Sequence, residues 1–310
     1  MKIVALAGGV GGAKLADGLA QVLGPGDLTI VVNTGDDFEH FGLHISPDLD
    51  TVCYTLAGLA NPDTGWGRRD ETWQAISSAA ALGGPAWFHL GDRDLGTHLE
   101  RTRLLDASLP LSKITADFCT AWGVRHAVLP MSDQPVRTIV KTDQGELAFQ
   151  EYFVRQRCEP AVKGFEFRGA SDAVAAPGVL DALERADAVV ICPSNPWVSI
   201  SPILAIPGVR DAVKRTPAVA VSPIIGGAAV RGPAAKMYAE MGISPSALAV
   251  AAQYQGLAQG FVLDSVDSEL RGAVSRYMDC VLVTHTLMQS PHDRKRLAED
   301  VLDFIGANFQ

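Results

Sequence analysis

Positive charge is scarce in this sequence. Its 310 residues carry 26 Lys and Arg against 35 Asp and Glu, a formal net charge of -9. No broad basic face that could grip nucleic-acid phosphates is expected from such a chain. Long apolar runs are missing as well, since nothing approaches the roughly 18 uninterrupted apolar residues of a membrane span. The stretch Met1–Ala7 is too short for the apolar region of a signal peptide and reads as a buried first strand. The five cysteines, Cys53, Cys119, Cys158, Cys192 and Cys280, are scattered and form no C-x-x-C pair. That spacing suits neither a disulfide framework nor a zinc site, and a cytoplasmic location is expected. No G-x-S-x-G elbow, H-E-x-x-H pair or kinase signature occurs, which weakens the hydrolase and zinc-enzyme readings. The shortage of bases leaves a question. A protein of this composition that binds an anion must find its positive charge elsewhere.

What is present is an α/β rhythm. Ile3–Ala7 is wholly apolar, glycines follow, and Leu15, Leu19 and Val22 recur at helical spacing before Gly24-Pro25-Gly26. Leu28–Val32 is a second apolar strand, which completes a βαβ unit of about 30 residues. Residues 61–130 look mainly helical, with Ala75–Leu82 and Leu95–Leu105 the clearest segments. Val136–Val140, a turn at Thr142–Gly145 and Leu147–Val154 read as an antiparallel hairpin. From residue 181 the rhythm returns, with strands expected at Ala188–Cys192, Ala218–Val221, Leu248–Ala252 and Val281–Thr284. The expected fold is a doubly wound, Rossmann-like, mostly parallel sheet with an inserted helical and β-hairpin region. Residues 1–130 and 181–310 would form the nucleotide-binding core and 131–180 the hairpin excursion. Ligands of such a sheet sit at the carboxyl ends of its strands.

Gly8, Gly9, Val10, Gly11, Gly12 and Lys14 lie between the first strand and the first helix. Glycines there let a backbone approach phosphate, and a helix start offers free N–H groups. The run fails the dinucleotide fingerprint, because Lys14 stands where a third small residue belongs and the second strand ends in Asn33 rather than an acid. It also fails the Walker A pattern, because Ala13 precedes Lys14 and Leu15 follows it. Phosphate binding is expected, with the nucleotide class open; tight strand–helix packing would explain the same glycines. Downstream, Asp36, Asp37, Glu39, Asp48 and Asp50 suggest a divalent cation on oxygen ligands, with Mg²⁺ favoured. Asp36 and Asp37 by themselves read as a solvated turn. Asp48 and Asp50, two apart where a helix begins near Asp50, exceed what capping needs. Further polar clusters follow at His89, Asp92, Arg93, Asp94 and His98, at Ser194 and Asn195, and at Ser222 and Arg231. Asp94 and Arg93 would also be explained by a helix cap and its ion pair.

Several of these stretches, in one order along nearly the whole chain, resemble the 2-phospho-L-lactate transferase family of coenzyme F-420 biosynthesis. They are Gly8–Lys14 with Leu15–Leu19, Val32-Asn33-Thr34, Ile45–Thr51, Leu90–Asp94, Leu129–Asp133, Pro193–Pro196 and Val221–Gly226. One departure is Gln134, where the family pattern has a second acid. The resemblance implies transfer of a phospho-three-carbon-acid group from its diphosphoguanosine donor to the terminal ribityl hydroxyl of the deazaflavin Fo, with release of GMP. Gly8–Lys14 would then cradle the diphosphate, and Ser194 and Asn195 would meet phosphate or ribose. Asp48 and Asp50 would hold Mg²⁺, or one of them would take the hydroxyl proton. Asn33, Thr34, His89, Asp92 and Arg93 would contact substrate, and a homodimer is implied. The sequence does not choose among phospholactate, phosphoenolpyruvate and phosphoglycerate as the donor acid. The alternative is a non-catalytic nucleotide-sugar-binding regulator of the gluconeogenesis-factor type, which would not need the paired acids. A nicotinamide dehydrogenase is disfavoured by the failed fingerprint.

Overall fold

The computed structural model describes residues 1–309. Seven strands form one sheet in the order Cys280–Thr284, Gly260–Asp264, Ala218–Val221, Ala188–Ile191, Ile3–Ala7, Leu28–Val32, Ala127–Pro130. Every neighbouring pair is parallel. The apolar runs are buried on both faces, with every residue of Ile3–Ala7, Ala188–Ile191 and Ala218–Val221 inside. Such runs need helices above and below, and two hydrophobic layers supply them. Ile3, Ala5 and Ala7 pack with Leu15 and Leu19 of α1 (Gly9–Val22), with Val52 of α2 (Pro47–Leu56) and with Leu297 and Val301 of the C-terminal helix Pro291–Phe309. Val4 and Leu6 face the other layer, with Leu183, Ile203, Val213 and Val250. The doubly wound, Rossmann-like sheet is therefore present.

Two elements differ from the expectation. Leu248–Ala252 is not a strand but lies in the helix Ala247–Gln253, whose first turn is capped by Ser246 Oγ accepting from the Ala249 amide at 3.1 Å. A five-residue apolar run is ambiguous by period alone, and the capping serine resolves it. The sixth strand is Gly260–Asp264, all five residues buried. The hairpin arm also ends early, at Ala148, and Glu151–Arg155 forms a wide helical turn instead of more strand. Arg137–Thr142 pairs on its other edge with Val162–Arg168, giving three antiparallel strands. Between residues 61 and 130 the helices are α3 (Gln74–Ala81), α4 (Asp92–Asp106) and α5 (Leu111–Ala121), before the edge strand Ala127–Pro130. Among the described residues no helix is long and apolar enough to cross a membrane.

The chain builds outward from Ile3–Ala7 to Leu28–Val32 and Ala127–Pro130, then returns to add Ala188–Ile191 on the opposite side of Ile3–Ala7. That reversal leaves a crevice between the carboxyl ends of those two strands. Close packing of α1 on the C-terminal helix fixes one wall. A Cβ at Gly18 would lie 2.1 Å from the Arg294 carbonyl oxygen and 3.3 Å from Ala298 Cβ. Gly18→Ala is therefore expected to destabilise the fold by about 2 kcal/mol through overpacking, read as an earlier midpoint in urea unfolding.

Candidate active site

The crevice opens into a cavity of about 740 Å³. Gly8, Gly9, Val10, Gly11 and Lys14 line one lip, and Pro193, Ser194 and Asn195 line the other. The glycine stretch is not a loop before the helix but its first turn, with Gly8 at the N-cap contributing no side-chain cap of its own. The opening N–H groups of α1 have no acceptor within the helix and form its positive end. Packing alone requires three of the glycines, since a Cβ at Gly8 would lie 2.5 Å from Asp48 Oδ2 and 2.7 Å from Ser199 Cβ. A Cβ at Gly11 would lie 2.2 Å from the Pro193 carbonyl oxygen, and one at Gly12 would lie 2.4 Å from Ser194 Oγ. Gly12 sits behind the lip, against Ser194 and Ala7. Ser194 Oγ accepts from the Gly8 amide at 3.1 Å and donates to the Gly8 carbonyl at 2.8 Å, which ties the lips together. Asn195 Oδ1 caps the next turn by accepting from the Trp197 amide at 3.0 Å. Lys14 Nζ donates to the Met288 carbonyl at 2.7 Å, and burial, with Arg294 and Arg231 nearby, lowers its pKa.

The acids lie beside this turn. α2 starts at Pro47 rather than near Asp50, so Asp48 and Asp50 both fall in its first turn, and both line the cavity. Two residues apart on a helix point away from each other, and the two carboxylates have separate partners. Asp48 Oδ2 accepts from Asn33 Nδ2 at 2.8 Å, and the Gly9 amide and Ser199 also donate to the carboxylate. Burial nevertheless pushes Asp48 up to about 6, with a further push from Asp37. Asp36 stands next to it, accepting from Asn33 at 3.3 Å and from Gln150 Nε2 at 3.1 Å. Burial and the charge of Asp48 raise Asp36 well above the carboxylate range. Asp36 and Asp37 are only 4% and 3% exposed, so the expected solvated turn is a buried one. The Asp37 carboxylate accepts from His44 at 3.0 Å and from Ser46 at 2.8 Å.

Asp50 belongs to a second cluster. Both of its oxygens accept from the Arg101 guanidinium, one at 3.0 Å, and His98 Nδ1 lies 3.7 Å away. Burial raises Asp50 even against the pull of Arg101 and His98. Burial would depress Arg101, but Asp50 outweighs it and raises the guanidinium pKa. Asp94 accepts from the Tyr54 hydroxyl at 2.6 Å; burial raises it, yet His98 and Tyr54 hold its carboxyl below the ordinary value. Asp50, Asp94 and His98 offer three ligating atoms within 4.8 Å of one another, with His98 Nε2 3.4 Å from Asp94 Oδ1.

Not every expected contact reaches the cavity. His89 lines it, edge-on to Trp73. Asn33 is fully buried and supports Asp36 and Asp48 from behind, and Thr34 is buried away from the cavity wall. The structure does not bring Asp92 or Arg93 to the wall. The Asp92 carboxylate accepts from the Gln74 and Ala75 amides at 3.1 and 3.0 Å, capping the start of α3, and Arg93 points outward near Asp70. Asp94 and, one turn on, His98 face inward instead, a pairing the i, i+4 spacing makes visible in the sequence. Residues without a sequence signal complete the wall: Phe149, Gln150 and Thr286–Met288, placed by the wide turn and by the loop after Cys280–Thr284. The first turn of α1 and the loops at Pro193, Ser222 and Arg231 thus converge on one cavity.

The family described as 2-phospho-L-lactate transferase CofD matches residues 3–309. A protein named phosphoenolpyruvate transferase from Streptomyces griseus is 49% identical over 276 residues, covering 86% of this chain and 87% of its own. One of the same name from Mycobacterium sp. (strain KMS) is 44% identical, covering 86% and 89%. The crystal structure of a UPF0052 family member from Bacillus halodurans superposes with a TM-score of 0.61 at 16% identity, covering 97% and 98%, a likeness of fold. The chain belongs to the 2-phospho-L-lactate transferase family and is a transferase.

Proposed function

We propose that this protein transfers a phosphoenolpyruvyl or phospholactyl group from its diphosphoguanosine donor to the terminal ribityl hydroxyl of Fo, releasing GMP with Mg²⁺ bound. The observation that carries the reading is the glycine-rich first turn of α1 sharing one cavity with Asp36 and Asp48, buried acids that have no Lys or Arg partner. Asp36 and Asp48 repel each other in a site with no adjacent base, so their charge calls for protons or a cation. Their hard oxygens suit Mg²⁺. Asp50 has both oxygens on Arg101, so Asp48, with Asp36 beside it, is the better holder for the ion. When bound, Mg²⁺ would offset charge on the transferring phosphate oxygens.

The protein's own groups then divide the work. The α1 N–H groups and Lys14 hold the diphosphate. The ribityl oxygen attacks the phosphorus that bears the three-carbon acid, a new P–O bond forms, and the bond to the GMP oxygen breaks. Asp50, fixed by Arg101 and raised by burial above the free carboxylate, receives the hydroxyl proton. Relatives at 43–49% identity are named phosphoenolpyruvate transferases, which favours the enolpyruvyl donor. Those names also favour an enzyme over a regulator of the gluconeogenesis-factor type.

The test is incubation of purified protein with Fo, Mg²⁺ and guanylylated phosphoenolpyruvate or phospholactate, followed by mass spectrometry. The expected products are GMP and Fo bearing the phospho-acid, with the enolpyruvyl donor preferred. If neither donor yields an adduct, the proposed reaction is wrong.

A further inference from the structure

Two permanent cations line the cavity, Lys14 and Arg231, against the carboxylates of Asp36, Asp48, Asp50 and Asp94. Neither is within salt-bridge distance of an acid among the described residues. Lys14 rests on the Met288 carbonyl. Arg231 donates to the main-chain carbonyls of Thr64 and Asp63, the second at 3.1 Å. A guanidinium on neutral carbonyls makes weaker bonds than it would with a charged oxygen acceptor.

Its position is fixed from two sides. The short hairpin Ile224–Ile225 and Ala228–Ala229 precedes it, and the Gly226 amide at its turn donates to both oxygens of Asp267, at 3.1 and 3.0 Å. Across the cavity mouth, the loop at Gly65 passes over the first turn of α1. A Cβ at Gly65 would lie 2.7 Å from Val10 Cγ1 and 3.4 Å from Arg231 Nη1. Arg231, Gly65 and the α1 N-terminus therefore meet at one point.

We infer that Arg231 is a second phosphate-binding residue, which exchanges the Thr64 and Asp63 carbonyls for the phosphate oxygens of a nucleoside diphosphate lying on the first turn of α1. The inference rests on the proposed reaction for the identity of that ligand. It explains how an acidic cavity holds an anion with one lysine, because the second cation is stored on a loop until the ligand arrives. The planar fork of Arg suits two phosphate oxygens at once.

Calorimetric titration of wild type, Arg231→Gln and Arg231→Lys with GDP, guanosine and inorganic diphosphate tests it, with melting curves confirming that each variant is folded. Arg231→Gln is expected to weaken GDP and diphosphate roughly 10- to 100-fold, the loss of charge-assisted hydrogen bonds, and to leave guanosine unchanged. Arg231→Lys should recover part of the loss. Unchanged GDP affinity, or an equal loss for guanosine, would overturn the role. Wild type that binds diphosphate but not GDP would sink the guanosine donor while still allowing Arg231 to be judged on diphosphate. Binding of neither would overturn both.

Discussion

Asp48→Asn is expected to lower turnover at least ~10³-fold, the scale on which removal of one central electrostatic group acts, and yet to raise the stability of the ligand-free protein at pH 8. The two effects have one cause. Asp48 is buried beside Asp36 and Asp37, and its carboxyl is pushed up to about 6 in the fold against 3.8 for the free group. A carboxyl raised by folding contributes stability that is complete below its unfolded pKa and is lost as pH rises through 6. By pH 8 the ionised form costs the fold about 3 kcal/mol, since each tenfold change in an acid's ionisation constant is worth about 1.4 kcal/mol. Asn carries no such charge. Urea midpoints of wild type and Asp48→Asn should nearly coincide at pH 4 and separate as pH rises to 8, the variant being the more stable. Mg²⁺ should then stabilise wild type at pH 8 and leave Asp48→Asn unmoved. A gap independent of pH, or a variant with wild-type turnover, would remove Asp48 from the role assigned to it.

That trade between stability and activity bears on what the sequence could reveal. The parallel sheet was legible because its strands are apolar runs of even texture, followed by glycine and proline turns. The glycine stretch and the Pro47-Asp48-Leu49-Asp50 run were legible as cavity-lining segments because each is contiguous in sequence, although Asp48 and Asp50 face different partners. What escaped depends on burial and facing. Asp36 and Asp37 look like any solvated turn until the Phe38–His40 and Leu43–Ile45 hairpin and the wide turn at Gln150 are placed around them. Asp92 and Asp94 are two apart in the first turn of α4, and only packing decides that Asp94 faces the cavity while Asp92 caps α3. Thr286–Met288 carries no chemical signature at all. It reaches the cavity because the last strand lies at the sheet edge, and Asp264 accepts from the Thr286 amide at 2.6 Å to hold the loop inward. The deficit of positive charge had a partial answer in the sequence. As parts of the proposed phosphate site, backbone N–H groups and Lys14 could be read there, whereas Arg231 could not be aimed without the fold.

Arg101→Met is expected to cost about 3–5 kcal/mol at pH 7.5, the scale for stripping one partner from a buried ion pair. Arg101 is 2% exposed and joins three elements. Its guanidinium donates to both oxygens of Asp50 on α2, lies 3.4 Å from His98 on its own helix, and sits 6.0 Å over the Phe118 ring of α5. Met fills much of the same space, so the loss comes chiefly from the charge left on Asp50, with Asp94 nearby. The sign of the pH dependence follows. Burial already raises Asp50, and without Arg101 nothing of comparable strength opposes it. The variant should therefore be worst above pH 7 and approach wild type as acid protonates Asp50. Arg101→Met combined with Asp50→Asn should recover most of the loss, because neutral partners of similar shape replace the pair. Urea unfolding of the four proteins in the cycle reads both claims. A single variant that loses under about 1 kcal/mol, or a double variant no better than the single, would show that the pair holds nothing in place. A double variant that is stable, binds GDP as wild type does and turns over no Fo would separate the two duties. Arg101 then serves to hold α4 against α2, and the charge it offsets on Asp50 is the one the transfer uses.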